Sequence, residues 1–411
     1  MSLEHREGRE SIYIGDSIIH SEAIQALEQD MQEVKTSMQN RSLNVDVNKL
    51  SALIDEIRLE KEKLRDSLYE NLRLKGKVNF NSARDIALIL SNELGVELKK
   101  SRTGRFIANR RALVNFNNPL TQDITHYRNL ERLLSSLKGL YSATDKKQGK
   151  VSCVYTDDCP SGRIYTKEYN LQGIPEKGRT VIYADEGHSF ILADFEVFEL
   201  RILSALAHDR YFKDCWVRGL DLHKKVISDM KDIPYELVTD KERKLGKCLS
   251  FGLSYGQEAA GLARNLGIKI YQAEKLMKAY KSNIPEVEAF KQETIKQARL
   301  TGFVDTYFGR RRLLFEINSP NTTERQKSER QAVNTAIQGC ASDILKFSLV
   351  KLHKAGFIIN TTLHDSVVIT VPDDRVQESV QQVKAIMESI EVEGMIFPVS
   401  CKTGKVWGSC L

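Results

Sequence analysis

Two aspartates stand where apolar, strand-like runs of this sequence end, and they are the first candidates for chemistry. Asp365 lies in LHDSVVI, between the β-branched runs FIINTT and VVITV, a pattern that predicts a β-hairpin with an acid at its tip. Asp194 ends the apolar run SFILAD. Two carboxylates at strand ends could hold two Mg²⁺ ions for phosphoryl transfer. Because the two residues are far apart in the sequence, spacing alone favours two unrelated surface acids.

A second candidate is the segment TDKERKLGKCLSFGLSYG, which begins at Thr239. Its T-x-x-E start is a capping box and predicts that a helix begins here. Four side chains then follow at steps of four and share one stripe of that helix: Arg243, Lys247, Phe251 and Tyr255. Cations near a helix N-terminus suit a polyphosphate, and aromatic faces suit a base. An amphipathic helix with incidental aromatic residues is the alternative.

Composition limits the class of protein without choosing it. The 411 residues contain 61 Lys and Arg against 55 Asp and Glu, and this net charge of +6 allows nucleic acid as a partner but does not require it. The seven cysteines form no C-x-x-C pair, which favours free thiols in a reducing compartment. The charged N-terminus MSLEHREGRE is not typical of a signal peptide, and no apolar run is long enough to span a membrane. We therefore expect an intracellular, cytoplasmic (or organellar or phage-encoded) protein that is not secreted.

Two segments between residues 46 and 111 predict an arm with a basic end. Residues 46–75 form a charged helical pattern with a narrow apolar stripe of Leu50, Leu53, Ile54 and Ile57, which suits a two-helix arm or a helix packed on a core. Residues 99–111, KKSRTGRFIANRR, are strongly basic. This run predicts phosphate contact or a solvated loop equally well, with four candidate contact residues: Lys99, Lys100, Arg102 and Arg105.

The rest of the chain predicts a split sheet. Residues 151–207 contain short β-type runs, residues 216–301 are helical, and the chain after residue 355 is typical of strand, turn, strand, helix and strand. The fold class is therefore α+β, with one sheet built from two distant regions and a helical insertion between them.

These segments together resemble the family A DNA polymerases, of the polymerase I type. Three motifs carry the resemblance: ADFEVFELRILSALAHD resembles D-Y-S-Q-I-E-L-R, RKLGKCLSFGLSYG matches R-x-x-x-K-x-x-x-F-G-x-x-Y-G completely, and LHDS resembles H-D-E with one change. Further matches are SGRIYTKEYNLQGIP, LDLH, ERQAVNTAIQGCASDILK, SLNVDVNKL and NFNSARDIALIL. The similarity runs in family order over residues 20–411.

The resemblance implies a right-hand polymerase fold with an antiparallel palm sheet, a helical thumb and helical fingers. Its implied divisions are an N-terminal lead-in segment (1–40), thumb (41–150), a first palm segment (151–215), fingers (216–309) and a second palm segment (310–411). Asp194, Asp365 and the main-chain carbonyl of Phe195 would hold two Mg²⁺ ions. The residues implied to bind the dNTP are His223, Arg243, Lys247, Phe251, Tyr255 and Glu199, with Lys247 also catalytic and Glu199 excluding a 2′-hydroxyl. The implied primer-template contacts near the new pair are Arg163, Arg330, Asn334, Gln338 and His364.

The sequence also departs from the family pattern. Glu196 and Val197 replace the usual Ser and Gln, Phe198 replaces Ile beside Glu199 and is expected to alter the sugar pocket, and Ser366 replaces a Glu. The expected activity is template-directed DNA synthesis. The chain begins about where a 3′–5′ exonuclease domain would end, so it is either an exonuclease-free polymerase or a trimmed part of a longer protein, and we expect it to synthesise DNA without proofreading. His-Asp-Ser also occurs in single-subunit RNA polymerases, so that activity is an alternative, although Glu199 and Phe251 argue against it. A non-enzymatic primer-template-binding protein is a third alternative, disfavoured because both metal acids and the second motif are present.

Overall fold

The computed structural model describes residues 12–14, 17–19, 21–74, 76, 78–101, 103–114, 116, 118–254 and 258–410. Two predicted site residues, Arg102 and Tyr255, lie outside the described residues. The helices found within these ranges are α1 Glu22–Asn40, α2 Val47–Asn71, α3 Ala83–Leu94, α4 Arg110–Val114, α5 Pro119–Ala143, α6 Glu176–Arg179, α7 Phe198–Ala207, α8 Arg210–Val217, α9 Leu222–Lys231, α10 Asp240–Ser254, α11 Ala259–Leu266, α12 Ile270–Asn283, α13 Pro285–Thr301, α14 Thr322–Asn334, α15 Cys340–Lys354 and α16 Val376–Glu388.

The strands are short apart from those of one central sheet. They are β1 Ile12–Ile14, β2 Ser17–Ile19, β3 Leu43–Val45, β4 Lys150–Val151, β5 Val154–Thr156, β6 Tyr165–Lys167, β7 Ile182–Tyr183, β8 His188–Phe195, β9 Phe303–Asp305, β10 Arg310–Leu313, β11 Ile358–Leu363, β12 Ser366–Pro372, β13 Glu391–Val392, β14 Met395–Ile396 and β15 Val399–Gly404.

The central sheet joins the two distant regions that the sequence predicted. Its order is β11-β12-β8-β15, and every neighbouring pair is antiparallel. β8 and β12 are buried along most of their length, because α15 and α16 pack on the sheet. Their near-continuous apolar sequences follow from burial on both faces. The predicted α+β class with an antiparallel sheet is confirmed.

Residues 46–75, predicted as part of a two-helix arm or as a helix packed on a core, contain helix α2, which fits both descriptions. Helix α2 begins at Asp46, whose side chain accepts a hydrogen bond of 2.8 Å from the amide of Lys49. α2 packs along α5, and its stripe residues Leu50, Ile54 and Ile57 are buried in the main core. The far end of the arm has a separate small core, which includes Leu68, Phe80, Ile86, Leu90 and Ile124. This second core lets the end of the arm hold its shape away from the sheet.

Helix α1 belongs to the main core rather than standing apart from it. Ser21 caps the helix by accepting the amide of Ile24 at 3.2 Å. Its apolar face is buried against α15 and neighbouring strands, through Ile24, Leu27, Met31, Val34 and Met38. The predicted lead-in segment 1–40 therefore contains a helix that packs against α15 and the edge of the central sheet.

Candidate active site

The hairpin between β11 and β12 brings the two aspartates together. His364 and Asp365 form its two-residue turn, and His364 has a φ of +54°, a conformation that few non-glycine residues adopt. Ser366 pairs with Asp194 across the β12–β8 ladder, and the amide of Phe195 lies 3.5 Å from the carbonyl of Asp365. The predicted acid at a hairpin tip is confirmed, and its neighbour is Asp194.

Burial raises the pKa of both carboxylates, and like-charge repulsion adds to the shift at Asp194. The pKa of Asp194 is raised by burial first, and then by the negative charges of Asp365 and Glu196. The pKa of Asp365 is also raised by burial, although Arg163 and His364 oppose that shift. Two carboxylates held side by side with raised pKa values favour the arrival of a cation or a proton.

These acids line a pocket of about 390 Å³ together with residues from other elements. Glu199 comes from the first turn of α7, and Phe251 comes from α10. His364 completes the rim beside Asp365. The fold therefore places an aromatic face of the α10 stripe beside the acids of the central sheet.

Phe198, one of the departures from the family pattern, supports this pocket from behind. Its side chain is buried and stacks on Phe195, with ring centroids 4.2 Å apart and planes 9° apart. It also meets Phe397 edge to face at 5.5 Å. Phe198 thus lines the pocket while fixing the residue whose carbonyl is a candidate metal ligand.

Glu199 is the most perturbed acid of the pocket. Burial raises the pKa of Glu199 to about 7, and the nearby charge of Asp365 adds to that shift. Arg163 opposes it through a hydrogen bond of 2.6 Å from its Nη2 to Oε1 of Glu199. Arg163 also lines an adjoining pocket of about 410 Å³ with Gln172, His364 and Asp365.

Helix α10 has the predicted capping box. The amide of Thr239 donates to Glu242 at 3.0 Å, and the amide of Glu242 donates back to the Thr239 hydroxyl at 3.3 Å. Lys247 is exposed, with its Nζ 5.8 Å from the centroid of the Phe251 ring, and no acid pairs with it among the described residues. These features agree with the predicted stripe of cation and aromatic side chains.

Arg243 and His223 are engaged within the protein. Arg243 donates to Asp221 at 2.7 Å, and Asp221 also caps α9. His223 is buried, lies 3.3 Å from the hydroxyl of Ser250, and has its pKa lowered to about 4 by burial first and then by Arg243 and Lys247. The structure therefore places a neutral histidine and a paired arginine near Lys247.

Sequence reasoning missed the reason for Gly246. A Cβ atom built there would lie 2.1 Å from the carbonyl oxygen of His223, so α9 and α10 meet at this glycine. The only sign of this helix–helix contact in the sequence is the glycine itself, which is unfavourable within a segment that its capping box predicts to be helical.

Three of the predicted DNA-contact residues lie where a helix changes its winding. Arg330 and Asn334 are in α14, and Gln338 is in the π-helical turn Thr335–Gly339 that leads into α15. Arg330 is exposed, with Glu258 3.9 Å away. The side-chain carbonyl of Asn334 is buried without a hydrogen-bond partner among the described residues. Single π turns are frequent at functional sites.

The end of the arm carries the basic loop that the sequence singled out. Lys99, Lys100 and Arg105 are exposed there, and Lys100 lies over the Phe106 ring at 4.9 Å. Sequence reasoning missed a neighbouring pocket of about 590 Å³ lined by Arg110, Arg128 and Arg132. The Arg128 guanidinium donates to the carbonyls of Phe80, Ala108 and Asn81, so its positive charge faces no acid among its hydrogen-bond acceptors.

Comparison with known proteins assigns the family. The model of DNA polymerase family A matches residues 47–409. This chain belongs to DNA polymerase family A. The family A chain is 30% identical over 400 residues to the thermostable DNA polymerase I of Thermus filiformis, and 31% identical over 403 residues to DNA polymerase I of Lactococcus lactis subsp. cremoris. These alignments cover 93% of this chain but 48% and 45% of the two relatives. The chain thus spans about half the length of the curated relatives it matches.

A solved structure supports the same assignment. The family A chain is similar to the POL domain of Pol1 from M. smegmatis in complex with DNA primer-template and dNTP, with 28% identity and a TM-score of 0.87. The match covers 93% of this chain and 70% of that chain. The right-hand polymerase fold that the sequence predicted is confirmed.

Family A DNA polymerases are generally dependent on divalent metal ions. The part of the chain that the structure describes has no group of three or more His, Cys, Asp or Glu side chains arranged to hold an ion. Two carboxylates and a main-chain carbonyl nevertheless suit Mg²⁺, which keeps several waters and binds through one or two carboxylates together with substrate phosphates. None of the described helices is both long and apolar enough to cross a membrane.

Proposed function

We propose that this chain is a template-directed DNA polymerase that adds dNTPs to a primer 3′-hydroxyl by two-metal-ion phosphoryl transfer. The observation that carries the proposal is the pocket in which Asp194 and Asp365 meet Glu199 and Phe251. Membership of DNA polymerase family A supports it. The substrates are dNTPs and primer-template DNA, and proofreading is not part of the proposal.

In this proposal the two aspartates, one in β8 and one at the hairpin tip, hold the metal ions. Asp194, Asp365 and the carbonyl of Phe195 would hold two Mg²⁺ ions, and these ions would supply positive charge that offsets the negative charge developing during phosphoryl transfer. Asp365 lies at a strand end whose register with β8 is fixed by the ladder. Because the sheet behind both acids is buried, their separation is held without help from the ligand.

The α10 stripe binds the nucleotide. Lys247, exposed and without an acid partner among the described residues, faces the triphosphate as a catalytic cation. Arg243 shares its guanidinium between Asp221 and the phosphates, and His223 contributes a neutral imidazole. Phe251 and Tyr255 flank the base and sugar, and Glu199 excludes a 2′-hydroxyl.

The remaining predicted residues bind the nucleic acid. The contacts near the new pair are Arg163, Arg330, Asn334, Gln338 and His364, and the phosphate contacts at the end of the arm are Lys99, Lys100, Arg102 and Arg105. In this division, residues 41–150 are the thumb, 216–309 the fingers, and 151–215 with 310–411 the palm, preceded by the lead-in segment 1–40.

The seven cysteines are all free thiols, which supports an intracellular location.

The test is primer extension on a defined template, with dNTPs and rNTPs in separate reactions containing Mg²⁺. We expect template-directed extension with dNTPs and little with rNTPs. Ser366 favours one second candidate, a single-subunit RNA polymerase-like nucleotidyltransferase, which would use rNTPs at least as well. Binding of primer-template without extension by either set of nucleotides would favour the non-enzymatic alternative.

A further inference from the structure

Arg163 connects the two pockets of the site. Its Nη2 lies 2.6 Å from Oε1 of Glu199, and the Arg163 side chain is 44% exposed whereas that of Glu199 is 12% exposed. The exposed part of Arg163 lines the adjoining pocket with His364 and Asp365. Arg163 therefore touches the acid proposed to select the sugar, and its exposed part faces a pocket that it shares with His364, another proposed primer-template contact.

A tight turn delivers Arg163 to this position. The amide of Gly162 donates to the carbonyl of Cys159 at 2.9 Å, and the Cys159 thiol lies 3.4 Å from the carbonyl of Arg163. Gly162 has a φ of +69°, in the left-handed region that favours glycine. The direction in which Arg163 leaves the turn thus depends on this one glycine.

Gly162 also packs directly on a buried arginine. A Cβ atom at Gly162 would lie 2.7 Å from Nε and 2.8 Å from Cζ of Arg310. Arg310 cannot move aside easily, because it is 1% exposed and its Nε donates to Asp343 at 2.7 Å. Its Nη2 is ion-paired with Glu28 of α1. The guanidinium therefore acts as a fixed wall behind the turn.

The other end of the same segment is held by the same set of charges. Asp157 is buried and bonds Lys35 at 2.6 Å and Lys346 at 2.7 Å, and Lys346 also bonds Glu28 at 2.7 Å. We call these six side chains the buried charge network: Glu28, Lys35, Asp157, Arg310, Asp343 and Lys346. It fixes residues 157 and 162, and so leaves Arg163 little freedom.

We propose that Arg163 is a positioning residue for sugar selection: it holds the Glu199 carboxylate in the orientation that excludes a 2′-hydroxyl, and the buried charge network sets its position through Gly162. This inference rests on the proposed function. A carboxylate selects sterically only while its orientation is fixed, and Arg163 is the hydrogen-bond donor found for it among the described residues. A primer terminus that contacts Arg163 would in this way be coupled to the sugar pocket.

The test compares kcat/KM for one dNTP and the matching rNTP on a single primer-template. We expect Arg163→Met to lower the dNTP preference by about tenfold or more, which corresponds to ~1.4 kcal/mol. In a Glu199→Ala background the same change should lower the preference no further, because the acid that it positions is absent. An unchanged preference in Arg163→Met, or an equal loss in both backgrounds, would overturn the proposal.

Gly162→Ala tests the link to the network, and Gly187→Ala is its matched control. Gly187 has a φ of +71°, close to the +69° of Gly162, but its Cβ position has nothing within 4 Å. We expect Gly162→Ala to lose dNTP preference and Gly187→Ala to keep it, with thermal unfolding showing that both remain folded. Equal behaviour of the two alanine variants would contradict the link.

If Gly162→Ala fails to fold, the Arg163 variants still decide the inference. An unmutated protein that extends no primer contradicts the proposed function itself, whereas dNTP extension with unchanged selectivity in the variants contradicts only this inference.

Discussion

Charged side chains cluster both at the rim of the active-site pocket and in the interior, where they form the buried charge network. The two clusters differ in their ratio of negative to positive charges. The rim acids Asp194, Asp365 and Glu199 line one pocket, and the cations that act on them are Arg163, which bonds Glu199, and Lys402, which opposes the raised pKa of Asp194. The buried charge network has three acids and three cations, each bonded to at least one opposite charge. An excess of negative charge facing an open pocket favours binding of a cationic ligand. A balanced set of buried charges instead stabilises the fold.

Asp194 and Asp365 of the rim differ in this way from Asp157 of the interior, whereas burial raises the pKa of the second interior aspartate, Asp343, although Arg310 opposes that shift. The pKa values of Asp194 and Asp365 are raised by burial, with like charge adding to the shift at Asp194. Burial also acts to raise the pKa of Asp157, but Lys346 and Lys35 hold it below its ordinary value. Asp157 is thus stabilised as a carboxylate by its lysine partners, whereas Asp194 and Asp365 have no such cation bonded to them among the described residues.

The largest expected effect tests the rim. Asp194→Ala or Asp365→Ala should abolish primer extension, while binding of primer-template stays close to normal because phosphate contacts elsewhere hold the DNA. Thermal stability should not fall, since each change relieves like-charge repulsion. Single-nucleotide incorporation, DNA binding and thermal unfolding measure the three outcomes. A variant that keeps more than about a tenth of the unmutated rate, a step of ~1.4 kcal/mol, contradicts the metal assignment.

The next effect tests the interior. Lys346→Met leaves Glu28 and Asp157 buried with one cation fewer, and breaking a buried pair in this way costs about 3–5 kcal/mol of unfolding free energy. Lys354→Met is the matched control on the same helix, because Lys354 is 62% exposed and pairs with Asp30 of α1. An exposed pair contributes about 1 kcal/mol or less. Urea unfolding of both variants should separate them, and equal losses would show that the network is not a structural device.

Local patterns predicted separate elements of the rim but not that they meet. The apolar runs on both sides of His364 and Asp365 predict the hairpin, and the T-x-x-E start predicts α10. The pairing of β12 with β8 needed the family resemblance, because the strands are far apart in the chain. The spacing placed Phe251 on the stripe, but only the structure shows that the stripe reaches the acids at this residue.

The interior could not be predicted, because its partners have no local relationship. Glu28 and Arg310 are separated by 282 residues, and Glu28 and Lys346 by 318. One signal was present: Glu28 and Lys35 lie on the buried face of α1 beside Leu27 and Val34. Charges within an apolar stripe predict buried partners but not their identity. Gly162 is similar, since only the fold shows that Arg310 lies behind it.

A smaller effect tests Lys247, the cation of the α10 stripe that has no acid partner among the described residues. Lys247→Ala removes a positive charge facing the developing negative charge of the triphosphate, which should slow incorporation by ~2 kcal/mol or more. The affinity for DNA should hardly change, and pre-steady-state incorporation with a separate binding titration distinguishes the two. Loss of DNA binding with normal incorporation once bound would place Lys247 on the template instead.

The smallest effect concerns Ser366, the residue of the rim that lacks the family's charge. Its hydroxyl donates to the carbonyl of Leu363 at 2.9 Å and so closes the hairpin, and the residue is 4% exposed. Ser366→Ala should therefore cost about 0.5–1.5 kcal/mol of stability and keep most activity, because the lost bond is structural.

Ser366→Glu would add a third negative charge beside Asp194, its partner across the ladder. That charge should attract Mg²⁺ more strongly while increasing repulsion in the metal-free site. A Mg²⁺ titration of single-nucleotide incorporation should give half-maximal rate at a lower concentration for Ser366→Glu than for the unmutated protein. A Ser366→Ala protein as inactive as Asp365→Ala would show that the rim depends on a hydroxyl as well as on its unbalanced charge.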